Sequence, residues 1–290
     1  MLGHMVQRVL AESGTIDVHG THIDDQHDPF YFNVESGLAK LAGICDNTSG
    51  YDYFINCIGM LTGKINEKDS TAIRKAIKIN SLFPHELSAF AKERGTKVIH
   101  ISTDGVFLGK AESYYEDGTH DCTDLYGITK SLGEVFDEHF LNLRCSIIGP
   151  SPFEKGGLLE WFLGQPDGAI VSGYTNHIWH GVSTYQFGRL CLKIIEGDHF
   201  EELRRESAVF HFAPNEPVTK FQLLCFFKEV FEKHVNVEAI TSDDKIYKRV
   251  LQTKYRGLKN IYPYGISAAR MVSELAHYMN KESLSRQPCK

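Results

Sequence analysis

The segment Lys97-Val-Ile-His-Ile-Ser-Thr-Asp-Gly-Val-Phe107 decides the fold of this 290-residue chain. Its first residues are mostly apolar and β-branched, with Val98, Ile99 and Ile101 around His100, which is typical of a buried strand in a parallel sheet. The polar side chains of Ser102, Thr103 and Asp104 follow at the point where that strand ends. Because ligands bind at the carboxyl ends of strands in open α/β sheets, the segment predicts a central strand and the position of a site.

Strand-like and helical stretches alternate on both sides of this strand, as in a parallel sheet covered by helices. The other predicted elements of this first part are helices at Met5–Ser13, Ile73–Arg94 and Tyr126–His139 and strands at Thr15–His19, Tyr53–Cys57 and Leu141–Ile148. After Gly149 the rhythm changes. Helices near Leu158–Leu163, Thr184–Glu196 and Lys220–His234 are separated there by loops rich in glycine, asparagine, proline and aromatic residues.

We therefore predict a doubly wound, Rossmann-like α/β fold with a smaller C-terminal substrate lobe. Residues 1–150 form the predicted dinucleotide-binding domain, on which 184–200 pack back. Residues 151–183 and 201–281 form the predicted substrate lobe, and 282–290 are a polar tail.

Composition and charge exclude several classes of protein. The net charge of −6 gives no electrostatic footprint for nucleic acid and no attraction to anionic membranes. No apolar run approaches the ~20 residues that a membrane span requires, and no signal peptide is evident. The seven cysteines contain no Cys-x-x-Cys pair. An odd number of thiols, several of them in apolar runs, predicts a reducing compartment, so we expect a cytoplasmic protein.

The segment Tyr126-Gly-Ile-Thr-Lys130 carries the first chemical signal. A tyrosine and a lysine four residues apart lie on one face of a helix, and a nearby ammonium lowers the pKa of a phenol. Such a tyrosine suits a general acid that protonates a carbonyl oxygen as hydride arrives at the carbon. The spacing alone is weak, because Tyr255 and Lys259 repeat it. What separates the two pairs is context, since Thr103 ends a buried strand some twenty residues before Tyr126.

These segments resemble the dTDP-4-dehydrorhamnose reductases, a family of extended short-chain dehydrogenase/reductases. Ser-Thr-Asp-Gly-Val-Phe107 is similar to their Ser-Thr-Asp-Tyr-Val-Phe segment, and Tyr126–Lys130 is similar to their Tyr-Gly-x-Thr/Ser-Lys helix. Four further segments resemble the family in the same order, and these are Phe54–Gly59, Ile79–Leu87, Tyr115–Asp117 and Leu143–Gly149. Several ordered matches are far more specific than any one of them.

The resemblance implies roles for individual residues. It makes Thr103, Tyr126 and Lys130 the catalytic set, with Tyr126 as the proton donor. The cofactor-binding positions that we expect are Gly3, Thr21, His22, Asn56, Cys57, Ile58, Gly59, Ser102, Tyr126 and Lys130. The substrate-binding positions that we expect are Asp104, Phe107, Asn176, Trp179 and His180.

The chain departs from the family pattern at three places. Gly105 stands where the family has a tyrosine beside the substrate, so the sugar pocket is altered. The lobe segment Tyr174–Gly181 does not match the family, and its aromatic and amide side chains either bind a base or sugar or pack a loop on the core. At the start, Gly3 matches only the end of the family's Gly-x-x-Gly-x-x-Gly motif, which holds a pyrophosphate on a helix N-terminus. We therefore expect the first strand and two glycines of that motif to be missing, at a cost in stability and in dinucleotide affinity.

The choice between NADP and NAD depends on the few residues at the tip of the second predicted strand. NAD-preferring sites place an acid at the tip of the second strand, but here Thr21 and His22 stand there and the first acid is Asp24. A hydroxyl and an imidazole suit a 2′-phosphate, so we expect NADP, with NAD as the alternative. Two His-x-x-His spacings, at His19 and His177, lack a third ligand nearby, so we expect no metal.

The predicted activity is NADP-dependent reduction of a keto group on a nucleotide-linked deoxysugar. Epimerases and dehydratases of the same family share the tyrosine and lysine pair and are the alternative enzymes. A non-catalytic regulatory or binding subunit with this fold is the alternative outside enzymes, because a fold does not by itself imply a function. The family also leads us to expect a homodimer.

Overall fold

We describe a computed structural model of the chain, which covers residues 1–151, 156–243 and 245–285, with side chains to Lys281. The helices are α1 Leu2–Ala11, α2 Ala39–Asp46, α3 Ser70–Ala76, α4 Phe83–Glu93, α5 Leu125–Leu132, α6 Leu158–Leu163, α7 Thr184–Glu196, α8 Phe200–Glu206, α9 Lys220–Val230, α10 Gly257–Ile261 and α11 Ala268–Ser285. The strands are β1 Tyr53–Asn56, β2 Lys97–Thr103, β3 Phe140–Cys145, β4 Ile147–Ile148, β5 Ile170–Tyr174, β6 His177–Trp179, β7 Val182–Ser183, β8 Val209–His211, β9 Val218–Thr219, β10 Asn236–Ile240 and β11 Tyr247–Lys248.

A parallel sheet in the order β1-β2-β3-β8 forms the centre of the first part of the molecule. In β2 the side chains of Val98, Ile99 and His100 are buried together, as expected for a strand that is covered on both faces. The strand ends at Thr103, which brings its polar segment to the carboxyl edge of the sheet. The predicted central strand and α/β class are thus confirmed.

The predicted strand at Thr15–His19 does not form. This segment lies in no strand, and the nearest pairing is an isolated bridge between His22 and Tyr31. Its apolar side chains, Ile16 and Val18, instead lie half-buried against the main core. Within the described residues β1 pairs only with β2, and residues 15–19 form no strand pairing with the other edge of β1. A strand is stabilised by pairing with a neighbouring strand. The apolar alternation of residues 15–19 indicated a strand, but no neighbouring strand that the structure describes pairs with them.

Two predicted helices end earlier than their periodicity suggested. The helix that begins near Tyr126 stops at Leu132, since a Cβ at the next residue, Gly133, would lie 1.9 Å from the Asn80 carbonyl oxygen. The helix that begins at Lys220 stops at Val230 rather than at His234.

The long helix predicted at Ile73–Arg94 is continuous but not uniform. α3 and α4 are joined by a π-helical segment, Ile77–Leu82, which is the rarer, wider form of helix. This segment turns the side chains of Asn80 and Ser81 inward, where both are buried. The insertion therefore places two polar groups beside the candidate site.

The C-terminal part carries three small sheets, ordered β11-β6-β9, β10-β5 and β4-β7. Its helix α7 packs against α1, with a hypothetical Cβ on Gly188 only 3.1 Å from Val9. One large hydrophobic core runs from Leu2 in α1 to Tyr278 in α11 and includes residues of both parts. The predicted boundary near residue 150 stays a prediction, because this shared core does not divide there. No helix of the described ranges is long and apolar enough to cross a membrane.

Candidate active site

Thr103 and Tyr126 meet at the carboxyl end of β2. A Cβ built on Gly105 would lie 3.2 Å from Thr103 Oγ1 and 3.1 Å from Tyr126 Cε1, so the hydroxyl and the ring flank the same glycine. Gly105 N donates to Thr103 Oγ1 at 3.0 Å, which holds this hydroxyl at the strand end. The helix that carries Tyr126 is started by Asp124, whose side chain accepts from Gly127 N. The structure thus brings two of the three predicted catalytic residues together.

Tyr126 keeps its proton at neutral pH. Burial raises the pKa of its phenol to about 12, which outweighs the opposing effect of the Thr103 side chain. The sequence-based prediction that Lys130 lowers this pKa is therefore wrong for the structure as it stands. A proton donor must be protonated before the reaction, and Tyr126 meets that condition, although a high pKa makes it a weaker acid.

Lys130 lies behind Tyr126 in a fully enclosed position. Its ammonium donates to the Ile101 carbonyl at 2.8 Å and lies 3.2 Å from His100 Nε2. Burial lowers the pKa of Lys130 to about 8, against the opposing effect of Glu134. The ring of His100 is neutral, since burial and the charge of Lys130 lower its pKa well below the usual value. The two groups that this ammonium contacts are therefore neutral, and the Glu134 carboxylate acts on it without a hydrogen bond.

The sequence-based site residues omitted Asn80, which joins the two sides of the site. Its Oδ1 accepts from Met60 N at 2.7 Å, and its Nδ2 donates to Met60 O and to Thr129 Oγ1. Asn80 thus ties the loop after β1 to the helix that carries Tyr126. Its place in the family-like segment Ile79–Leu87 was a usable signal, but the π-helical turn that points it inward was not visible in the sequence.

The expected cofactor positions form two groups, and the first fits a dinucleotide. Gly3, the second residue of α1, lies beside Cys57, with 3.6 Å between a Cβ built on Gly3 and Cys57 Cβ. The start of a helix offers unpaired N–H groups to phosphate. Next to it, Asn56 Nδ2 is buried without a hydrogen-bond partner among the described residues, while Asn56 Oδ1 accepts from Ile58 N. Together with the exposed Gly59, these residues leave donors that a ribose or nicotinamide amide would use.

The second group fits less well. The Ser102 hydroxyl is buried and donates to Glu134 at 2.6 Å, so it faces the interior rather than a cofactor. Thr21 is exposed, and the His22 ring lies 3.1 Å from the Asp28 carboxylate. An acid that the linear sequence placed out of reach is therefore next to the expected 2′-phosphate position.

Most of the expected substrate contacts have other partners. Phe107 is fully buried and stacks on Tyr114 at 4.2 Å. The Asn176 amide donates to Lys245 O at 2.7 Å, and Trp179 Nε1 donates to Ser146 Oγ. His180 bonds Asn215 O through one ring nitrogen and Leu251 N through the other. These four side chains have partners within the protein, and their role as substrate contacts stays a prediction.

Asp104 keeps a position that suits a ligand. It follows Thr103, and burial raises the pKa of its carboxyl while the charges of Arg249 and Lys220 oppose that rise. Neither Arg249 nor Lys220 was among the residues expected from the sequence. Lys220 is the first residue of α9 and Arg249 follows β11, so strand pairing within the C-terminal part, rather than a local pattern, brings the two together.

Comparisons with known proteins agree with this geometry. Residues 65–147 match the family model described as the RmlD substrate binding domain, a range that includes Thr103, Tyr126 and Lys130. The chain is 28% identical over 137 residues to the probable low-salt glycan biosynthesis reductase Agl14 of Haloferax volcanii, which covers 46% of this chain and 44% of that protein. The match thus spans less than half the length of that relative.

Solved structures share the fold over nearly the whole chain. A dTDP-4-dehydrorhamnose reductase from Bacillus anthracis, in complex with NADP, has a TM-score of 0.73 at 14% identity and covers 96% of this chain and 95% of its own. One from Clostridium acetobutylicum has a TM-score of 0.69 at 18% identity, with 96% of each chain covered. The UDP-glucose 4-epimerase of Thermotoga maritima, with UDP-glucose, has a TM-score of 0.68 at 17% identity and covers 98% and 96%. The Rossmann-like fold and the resemblance to the dTDP-4-dehydrorhamnose reductase family are confirmed.

Proposed function

We propose that this chain is an oxidoreductase that uses NADPH to reduce a keto group on a nucleotide-linked deoxysugar. The observation that carries the proposal is the meeting of Thr103 and Tyr126 around Gly105 at the carboxyl end of β2, with Lys130 enclosed behind them. The family match over 65–147 supports it, because this range contains all three residues.

Each residue of the site has a role in the proposed reaction. The nicotinamide, when bound, supplies the hydride. Tyr126, protonated because its pKa is about 12, donates a proton to the carbonyl oxygen. The Thr103 hydroxyl donates a hydrogen bond to the same oxygen and stabilises its developing charge. Lys130, whose ammonium donates to Ile101 O, would also hold the cofactor ribose, and its positive charge would favour the phenolate that Tyr126 leaves behind.

The cofactor that we propose is NADP, with NAD as the alternative. Thr21 and His22 support a 2′-phosphate, and the B. anthracis relative is a complex with NADP. Asp28 counts in the other direction, since its carboxylate lies 3.1 Å from His22. Titration of the protein with NADPH and with NADH tests the choice, and a clear preference for NADH would show that Asp28 sets it.

The test of the activity is the substitution Tyr126→Phe. We expect it to lower turnover of a dTDP- or UDP-linked 4-keto sugar by ~10²-fold or more, the usual scale of general acid catalysis, with NADPH affinity almost unchanged. Tyr255→Phe is the matched control, because Tyr255 begins the other Tyr-x-x-x-Lys pair and instead packs on Phe210 at 5.3 Å. Equal losses of turnover from both substitutions would contradict the assignment.

An epimerase or dehydratase is the second candidate, since the same tyrosine and lysine serve those reactions and an epimerase shares the fold. These enzymes regenerate their nicotinamide within a turnover. Net oxidation of one NADPH per sugar converted would support the reductase. Conversion without net oxidation would support the second candidate.

We also propose a cytoplasmic, homodimeric protein. The cytoplasm is supported by six cysteines that are free thiols in the described part of the chain. The dimer is supported by apolar side chains exposed on and just after α5, where Ile128, Leu132 and Phe136 are 40%, 60% and 66% exposed.

A further inference from the structure

Two cationic side chains stand on either side of one strand in the C-terminal part. Ile178 of β6 pairs with Lys248 of β11 on one side and with Thr219 of β9 on the other. The residues that follow these partners are Arg249 and Lys220. Because β11 runs parallel to β6 and β9 runs antiparallel to it, Arg249 lies at the level of Trp179 and Lys220 at the level of His177. Their backbones are therefore about two strand spacings apart across the sheet, ~10 Å, and are offset by about two residues along it.

Both cations are directed toward the catalytic end of β2. The charges of Arg249 and Lys220 both act on the Asp104 carboxyl, next to Thr103. Arg249 Cγ also lies 3.4 Å from a hypothetical Cβ on Gly109, in the loop that follows β2. The charge of Arg249 further acts on Cys122, which packs against Gly127 of α5. The pair thus lies near Asp104, which follows Thr103, and Arg249 lies near Cys122, which packs against the residue after Tyr126.

Neither of these two cations is in direct contact with a counter-charge in the described part of the protein, although Asp104 lies close enough for its carboxylate to stabilise the charge of Lys220. Neither makes a hydrogen bond or ion pair with any residue that the structure describes, and Arg249 Nε is buried without a partner there. Burial and the charge of Arg249 lower the pKa of Lys220, which shows that the two repel each other. The neighbouring Lys248 differs, because its ammonium lies 3.1 Å from Glu112. Two crowded, unpaired cations are an arrangement that a bound anion stabilises.

An aromatic cluster lies next to Lys220. The ring of His177 stacks on Tyr174 with 4.5 Å between centroids and lies 4.8 Å from the ring of Tyr247. The charge of Lys220 contributes to the lowered pKa of His177, after burial, so the cluster and the cation are neighbours. Tyr247 is 40% exposed, which leaves one face of the cluster open to a planar ligand.

We propose that Lys220 and Arg249 bind the diphosphate of a nucleoside diphosphate sugar, and that the cluster of Tyr174, His177 and Tyr247 stacks on its base. The inference rests on the proposed function, since it places the nucleotide half of the same substrate. It replaces the contacts expected of Asn176, Trp179 and His180, whose side chains are occupied within the protein. The sugar then extends from the cations past Asp104 to Tyr126.

The test measures binding of dTDP, UDP and inorganic pyrophosphate by calorimetry to the full chain and its variants. We expect Arg249→Gln and Lys220→Gln each to weaken dTDP and pyrophosphate binding by at least ~10-fold, the loss of one charge-assisted contact. Lys248→Gln is the matched control, because it removes an adjacent charge that Glu112 already pairs, and it should change affinity less than ~2-fold. Tyr247→Ala should weaken dTDP binding but leave pyrophosphate binding unchanged.

NADPH affinity, measured on the same samples, separates this inference from the proposed function. It should be equal in all variants, which also shows that they are folded. In steady-state kinetics, Arg249→Gln should raise KM for the sugar nucleotide and change kcat little, since the diphosphate is remote from the reacting carbon. If dTDP does not bind, or if Arg249→Gln and Lys248→Gln act alike, the inference is wrong. If dTDP binds as described but no sugar nucleotide is reduced, the proposed function is wrong and the nucleotide site stands.

Discussion

Lys130 is the residue of the site whose charge changes in the pH range just above neutral. It is held by a carbonyl and a neutral imidazole, neither of which requires it to be charged. Burial lowers its pKa to about 8, so about half of the free protein carries a neutral amine at that pH. The proposed role of Lys130 needs the ammonium form. The charged form is present below pH 8 and is lost as the pH rises through about 8.

We therefore expect kcat/KM, which reports the free enzyme, to fall above a pH of about 8. Tyr126 does not cause this limb, because its pKa of about 12 keeps it protonated. The measurement is a pH profile from 6 to 10 on the intact protein. In Lys130→Arg, whose guanidinium stays charged, the limb should disappear from whatever activity remains. A wild-type profile that stays flat to pH 10 would contradict the role given to the ammonium.

Gly105 controls the space in front of Tyr126, the proton donor that we propose. A Cβ here would lie 3.1 Å from the Tyr126 ring, closer than an ordinary contact. The larger side chain that the family places at this position would thus have to displace the ring or the loop. The altered sugar pocket expected from the sequence has a physical basis in this contact, and the difference bears on which sugar the site accepts.

At the scale of elements, the central strand and the start of the helix that carries Tyr126 could be predicted because local pattern and tertiary role agree. The apolar run of β2 and the polar residues at its end both follow from burial at the centre of a parallel sheet. Thr184–Glu196 was predicted to the residue, since its capping box at Ser183 and Gln186 marks its start. Local signals of this kind predict an element correctly because they do not depend on distant residues.

Other elements could not be predicted, because long-range contacts decide them. The strand expected at Thr15–His19 has no ladder within the described residues. The helix after Tyr126 ends where the Asn80 carbonyl requires a glycine, Gly133, although more than fifty residues separate the two in sequence. Lys220 and Arg249 join the site through strand pairing within the C-terminal part. Periodicity in one segment carries no information about such partners.

One buried ion pair joins the elements around the site. Arg144 of β3 donates to both carboxylate oxygens of Glu134 at 2.7 Å, and Ser102 of β2 donates to the same group. Burial alone would raise the pKa of Glu134, but the hydrogen bonds from Arg144 and Ser102 outweigh it and lower the pKa. Both side chains of the pair are almost completely buried, so neither charge can be left alone.

We expect Glu134→Gln to lower the free energy of unfolding by ~3–5 kcal/mol, because it leaves the buried guanidinium without its counter-charge. Denaturant unfolding followed by circular dichroism measures the change. The matched control is Glu138→Gln, since Glu138 is four residues away, 75% exposed and only 3.9 Å from Lys92. This control should shift stability by less than ~1 kcal/mol. Equal effects of the two substitutions would show that the ion pair contributes no more than a surface contact.

At the scale of the whole molecule, the shared core and the exposed helix face have different consequences. The core that runs from α1 to α11 joins the Rossmann-like part to the C-terminal part. Because the two parts share this core, we expect them to stay packed together when a ligand binds. The exposed face of α5 lies outside that core. Leu132 and Phe136 are more than half exposed there, and Ile128 lies one helical turn before Leu132.

A second copy of the chain is the partner that we propose for this face, and one substitution tests it. Leu132→Glu places a charge at the centre of the face, where burial in a dimer would cost several kcal/mol. We expect the native protein to sediment at twice its 32.8 kDa and the variant at that single mass. Ile170→Glu is the matched control, because Ile170 is 65% exposed but lies on β5 in the C-terminal part. It should leave the dimer intact. If the native protein sediments as a monomer at tens of micromolar, or if both substitutions dissociate it, then α5 does not form the interface.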